Sequence, residues 1–144
     1  MTSRDVVCAP CVCCRSISSS GKVTVSLVSD GCRGTDHEVN YLEHVQAVIT
    51  LTTQRRGQIS IYLTSPMGTR STLLPRRSRD SSHDGFTNWA FMTTHSWGEL
   101  AAGQWMLEVD NEAAPCESRG MTDVSVVSLL IPCRQHAHTS LMFV

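Results

Sequence analysis

Apolar residues recur at every second position through the middle of the chain. Val23, Val25 and Leu27 alternate with Thr24 and Ser26, and Val45, Ala47, Ile49 and Leu51 alternate with His44, Gln46 and Thr50. Ile59, Ile61 and Leu63 alternate with Ser60, Tyr62 and Thr64, and after Gly103 the run Trp105, Leu107 and Val109 is spaced by Met106 and Glu108. A period of two puts one set of side chains on a buried strand face and the other toward water.

The polar turn Gln54, Arg55, Arg56, Gly57 separates two of these runs, so segments 45–51 and 59–63 are predicted to form a β-hairpin. Ser65-Pro66-Met67-Gly68 supplies a second turn, where proline sets one dihedral and glycine is free to take positive φ, and Ser71 to Leu74 is predicted to pair beyond it. Pro75 to Gly85 reads as a polar loop, and the aromatic-rich stretch Phe86 to Thr94 as a return to the core. Phe86, Trp89, Phe91, Trp97 and Trp105 are the expected core anchors, with an exposed aromatic docking patch as the alternative. Short strands punctuated by turns, without a long helical period, predict an all-β fold, an antiparallel sandwich or barrel.

Three zones differ in character: a Cys- and Ser-rich arm over 1–20, a β domain over 21–131, and a divergent tail over 132–144. At 144 residues the chain fits one domain with an ordinary core. The formal net charge of −1 excludes a strong electrostatic pull toward nucleic acid, which is not an expected partner. No signal-peptide-like apolar core is visible in 1–20, and the apolar run 124–131, interrupted by Ser125 and Ser128, is too short for a helical membrane span.

Seven cysteines include four crowded at Cys8, Cys11, Cys13 and Cys14, with Cys32, Cys116 and Cys133 standing apart. An odd total cannot pair fully within one chain. Zinc sites favour two separated ligand pairs, whereas four thiols here fall within seven residues, so a partly disulfide-bonded arm is preferred over a thiol-rich metal site. Arg70, Arg76, Arg77 and Arg79 read as a basic loop, balanced by Asp80 and Asp84. Arg76 and Arg77 form a dibasic pair in a loop predicted to be exposed, which makes it a candidate cleavage site; an ordinary solvated loop is the plainer reading. No asparagine lies in an N-x-Ser/Thr sequon.

The segment from Asn40 through Tyr41, Leu42, Glu43, His44 and Val45 to Leu51, with Arg55-Arg56-Gly57, Ser65-Pro66-Met67-Gly68-Thr69 and Phe91-Met92-Thr93-Thr94-His95-Ser96-Trp97-Gly98, resembles the P domain, or Homo B domain, of the subtilisin/kexin-like proprotein convertases (peptidase family S8). The match is best over 21–111, and Gly21 to Leu27 and Asp30 to Gly34 look most like the neuroendocrine branch. The resemblance implies an eight-stranded jelly-roll-like β-barrel or sandwich that packs on a subtilisin-like catalytic domain, is required for its folding and tunes its calcium and pH dependence. Such enzymes cut precursors after paired basic residues in the secretory pathway, from Golgi to granule. Their Ca2+ sites belong mainly to the catalytic domain, so no cofactor or metal ligand is carried onto this chain.

The family pairs the cysteine matching Cys32 with one upstream; Cys14, Cys13 and Cys8 are the candidates, the disulfide Cys14–Cys32 among them. Many relatives read Arg-Gly-Asp where this chain has Arg56-Gly57-Gln58, so an adhesion-like role is not expected while the polar turn is. The run 124–131 is able to supply a last strand, although the residues closing it depart from the family pattern.

Protease chemistry needs a serine, a histidine base and an orienting aspartate on separate elements. Subtilisin-like enzymes carry them in His-Gly-Thr and Gly-Thr-Ser signatures, and neither occurs here. His95 and Ser96, adjacent on a predicted strand, would face opposite sides, and Glu43-His44 reads as structural. The expectation is therefore a non-catalytic accessory domain of a calcium-dependent serine endopeptidase, with a free-standing β-sandwich binding module as the alternative.

Overall fold

The computed structural model describes residues 15–16, 21–34, 36, 38–112 and 123–130, with 15–16 and 123–130 described by their backbone. Among the described residues the strands are β1 (Arg15–Ser16), β2 (Lys22–Ser29), β3 (Val45–Thr52), β4 (Ile59–Thr64), β5 (Arg70–Leu74), β6 (Phe86–Thr93), β7 (Gly103–Asn111) and β8 (Asp123–Leu130). They form two four-stranded antiparallel sheets, ordered β1-β8-β3-β6 and β2-β7-β4-β5. The fold is a sandwich of two open sheets, and no closed barrel forms among the described residues.

Alternation in the sequence becomes register in the sheets. Val23, Val109 and Ile61 sit opposite one another across β2, β7 and β4, as do Val25, Leu107 and Leu63, and all six are buried. Val45, Ala47, Ile49 and Leu51 line β3 in the facing sheet and are fully buried. Each fully buried branched side chain contributes about 1.5–3 kcal/mol relative to exposure, so these rungs are a principal source of stability. The predicted last strand forms as β8, over Asp123–Leu130, and pairs β3 from Gln46↔Leu130 to Thr52↔Asp123.

The predicted hairpin between segments 45–51 and 59–63 does not form. β3 pairs β6 and β8, whereas β4 pairs β5 and β7, so the chain crosses from one sheet to the other between them. The alternation is identical whether two buried strands share a sheet or face each other across a core, and period alone cannot separate the cases. The connection is a short 3-10 turn, Arg56–Gln58, in which Gly57 and Gln58 are buried. The β4–β5 hairpin forms as predicted, with Gly68 N–H donating to Ser65 O and Ser65 N–H to Thr69 O.

Two predicted core anchors lie elsewhere. Trp105 and Phe86 are buried and Phe91 is partly so, but Trp89 is 46% exposed and Trp97 is 65% exposed. Trp89 sits opposite Ile49 on β6, an edge strand with no neighbour beyond it among the described residues, so one flank of its ring stays in water. Its other flank meets Phe86 edge-on at 4.9 Å between centroids. Trp97 lies in the turn after β6, where its N–H donates to Thr94 O, and has no strand to turn it inward.

Candidate docking surface and basic latch

Loops at the two ends of the sandwich differ sharply in chemistry. At the first end gather residues 30–34 and 38–44, the turn 65–69 and the connection 94–102. Segment 40–42 is stitched to 98–101 by three backbone bonds: Leu42 N–H to Glu99 O at 2.9 Å, Gly98 N–H to Leu42 O at 2.7 Å and Ala101 N–H to Asn40 O at 3.1 Å. Tyr41 and Leu100 form an isolated bridge there. The Thr69 hydroxyl bonds the Glu99 carboxylate, which joins the 65–69 turn to the same assembly.

This scaffold holds four large apolar side chains in water. Tyr41, Met67 and Trp97 are each about two-thirds exposed and Leu100 is half-exposed. Their loops are anchored from beneath by buried Leu42, Ala101 and Trp105, whose indole N–H donates to Ala101 O at 3.2 Å. Water-exposed aromatics on a fixed backbone form a preorganised contact surface, because little conformational entropy remains to be lost on docking. Sequence reasoning assigned Trp97 to the core; the Gly98 that follows it, at φ +79, was the available turn signal.

Chemistry at the opposite end is ionic. Arg56 donates to both carboxylate oxygens of Asp80, at 2.8 and 3.2 Å, and its guanidinium also lies near the Trp89 and Phe86 rings at 5.6 and 5.8 Å. Arg77 Nη2 donates to Arg56 O at 2.8 Å, and Arg77 Nη1 to Pro75 O at 2.7 Å. Backbone bonds from Gly57 N–H to Asp80 O and from Arg77 N–H to Gly57 O close the latch. Gly57 is the wedge, since a Cβ there would stand 2.0 Å from Arg77 O and 2.3 Å from Asp80 O. The Arg56-Gly57-Gln58 turn is therefore an internal joint and not a displayed loop tip.

On the outer face of the second sheet, Glu108 accepts from Lys22 Nζ at 2.5 Å and from Arg70 at 3.1 Å, and Arg70 stacks 4.1 Å over the Tyr62 ring. The hydrogen bond from Arg56 holds the Asp80 carboxyl below its ordinary value, and the hydrogen bond from Lys22 does the same for Glu108. A carboxyl lowered in the folded state stabilises the fold above its unfolded pKa, and that contribution is lost as pH falls through the folded pKa. The thermal midpoint should therefore hold from neutral pH to about 5 and fall below about 4, near the unfolded carboxyl values. Asp80→Asn combined with Glu108→Gln should flatten the acid limb; an unchanged limb would show that other carboxylates set it.

The remaining sequence candidates are not brought together. Cys32 is buried and disulfide-bonded, while Cys14, Cys13 and Cys8 lie outside the described residues. His95 and Ser96 occupy a turn, not a strand, with Ser96 buried and His95 exposed. Glu43 and His44 precede β3. Among the described residues no helix is long and apolar enough to cross a membrane, and no group of three or more His, Cys, Asp or Glu is placed to hold a metal.

A family model described as the proprotein convertase P-domain matches residues 42–120. Neuroendocrine convertase 2 of Drosophila melanogaster is 63% identical over 81 residues, covering 56% of this chain and 12% of that protein. The human protein of that name is 56% identical over 94 residues, covering 65% of this chain and 15% of the relative. Proprotein convertase subtilisin/kexin type 5 of Branchiostoma californiense is 50% identical over 111 residues, 76% of this chain and 6% of that protein. The chain thus spans a small fraction of the relatives that it matches. In fold it is similar to the solved Aeromonas sobria serine protease in complex with its chaperone ORF2, at a TM-score of 0.60 and 19% identity, covering 85% of this chain and 26% of that one.

Proposed function

This chain belongs to the proprotein convertase P-domain family, and on that premise we propose that it serves as the accessory domain of a subtilisin-like serine endopeptidase. The observation that carries the reading is the apolar end of the sandwich, where Tyr41, Met67, Trp97 and Leu100 stand exposed on backbone fixed by hydrogen bonds. Burying such a surface on a catalytic domain would stabilise both partners through mass action, since the docked state excludes the unfolded one. The sandwich contributes structure to the protease and no group to the bond cleavage itself. Regulation of a calcium-dependent enzyme that processes precursors at paired basic residues follows from the same family premise. The disulfide at Cys32 supports residence in an oxidising compartment, in keeping with a secretory route.

The test mixes the full chain with a convertase catalytic domain produced without its own P domain, and follows binding by calorimetry and the melting of the protease. Saturable association and a raised melting temperature are expected. Trp97→Ser should weaken binding by at least tenfold, because a buried interface tryptophan is commonly worth about 2 kcal/mol or more. No association with any convertase catalytic domain would sink the accessory-domain reading and leave a free-standing module. Binding indifferent to Trp97→Ser would instead remove this surface from the interface.

A further inference from the structure

The chain contains two pairs of adjacent basic residues, Arg55-Arg56 and Arg76-Arg77, and both lie in the same latch. We propose that this latch is a reciprocal shelter, which closes the two paired-basic sequences of the chain to endoproteases that cut after such pairs and turns them into cleavage sites when it opens. The inference draws on the functional reading only for the kind of protease that the chain would meet; the shelter itself is a matter of geometry.

An endoprotease takes its substrate as an extended strand, with backbone hydrogen bonds to the cleft and the side chain before the cut bond inserted in a pocket. Each requirement is blocked at Arg77. Its carbonyl accepts from Asp80 N–H at 3.1 Å, so the Arg77–Ser78 bond sits in a tight turn. Its N–H is spent on Gly57 O at 2.8 Å. Its guanidinium is held by Arg56 O and Pro75 O, with Asp80 Oδ2 at 3.5 Å.

The other pair is blocked in the same three ways, and one bond is common to both. The Arg56 carbonyl accepts from Arg77, its N–H donates to Ser82 O at 2.8 Å, and its guanidinium grips Asp80. Arg55 Nη2 reaches Ser78 O at 3.3 Å, and Arg76 lies 3.8 Å from the Glu112 carboxylate. Drawing out either pair breaks the bond from Arg77 Nη2 to Arg56 O and a hold on Asp80, which both pairs share.

Cleavage, where it occurs, is ordinary hydrolysis: water adds across the Arg77–Ser78 or Arg56–Gly57 peptide bond, leaving an arginine carboxylate and a new amino group. Asp80 and Gly57 are the two keys. Asp80 holds both arginines by charge, and Gly57 admits the 77–80 turn by lacking a Cβ. Removing either should raise the fraction of time the segment spends open, to which proteolysis is proportional when reclosing is fast.

The experiment incubates the intact chain with a purified endoprotease specific for paired basic residues and follows it by intact mass. A synthetic peptide of residues 72–83 serves as the unsheltered reference. Wild type should lose the Arg77–Ser78 bond at least about a hundredfold more slowly than the peptide, and Asp80→Ala should be cut after Arg77 or Arg56 about tenfold faster than wild type. Gly57→Ala is run beside it, with near-ultraviolet circular dichroism reporting whether each variant is folded. Wild type cut as fast as the peptide overturns the proposal, as does a folded Asp80→Ala that resists like wild type. Since the protease is added in trans and no docking is involved, failure here is distinct from failure of the accessory-domain reading.

Discussion

Trp105→Ala should cost about 3–5 kcal/mol, the range for truncating a large aromatic in a packed core. Small domains have about 5–15 kcal/mol in all, so the variant should lose a large share of its stability. Trp105 is fully buried, sits opposite Leu27 on β2, and heads the rung sequence that Leu107 and Val109 continue. It also roots the apolar end, because its indole N–H holds the Ala101 carbonyl under the loop that presents Leu100. Urea denaturation followed by far-ultraviolet circular dichroism measures the loss. Trp105→Phe separates the two roles: most of the ring body remains, and the missing hydrogen bond should cost about 1 kcal/mol plus a partial cavity. A Trp105→Ala protein within about 1 kcal/mol of wild type would mean that the two sheets close without this residue.

Strand existence was legible because burial on one face of a sheet writes itself into alternate positions. The runs at β2, β3, β4 and β7 all carry that mark, and the apolar run after Gly120 marked β8. Partnership was less legible. Ile49 and Ile61 are equally buried, yet they belong to facing sheets, and nothing in a period of two records which. The short connection 53–58 between two alternating runs suits a hairpin by length alone. What prevents it here is long-range: the 53–58 connection is tied to residues 77–82, about two dozen positions later.

The same limit governs the surfaces. Strand spacing does not record how far an edge strand is covered: on β6 Phe86 is buried, while Trp89 stays 46% exposed. Arg56 and Asp80 carried no mutual signal, since an arginine beside a turn glycine and an aspartate in a polar loop are each unremarkable alone. Family resemblance identified the segment that contains the site, but the latch between its two arginine pairs exists only where both loops meet in space. Side-chain chemistry was readable in one dimension; adjacency was not.

Gly85→Ala should destabilise the chain by about 2–5 kcal/mol, from two separable causes. Gly85 has φ +64, a conformation that costs an L residue about 1–2 kcal/mol. A Cβ there would also stand 2.3 Å from Leu51 O and 3.2 Å from Thr52 Cα, forcing a backbone shift that adds about 1–3 kcal/mol. Gly68→Ala isolates the first cause, since Gly68 has φ +89 and nothing lies within 4 Å of where its added methyl would stand, and it should cost only about 1–2 kcal/mol. The difference between the two variants measures how tightly β6 enters beside β3 at the point where their register shifts between Ile49 and Leu51. Because Gly85 lies next to Phe86, whose ring packs against Trp89 and lies beneath Arg56, the shift should also loosen the latch. Hydrogen exchange would then quicken at Arg56, Gly57 and Arg77 in Gly85→Ala and not in Gly68→Ala. Equal costs for the two substitutions, with unchanged exchange in the latch, would show that the entry of β6 has room to move and that the basic end is held independently of it.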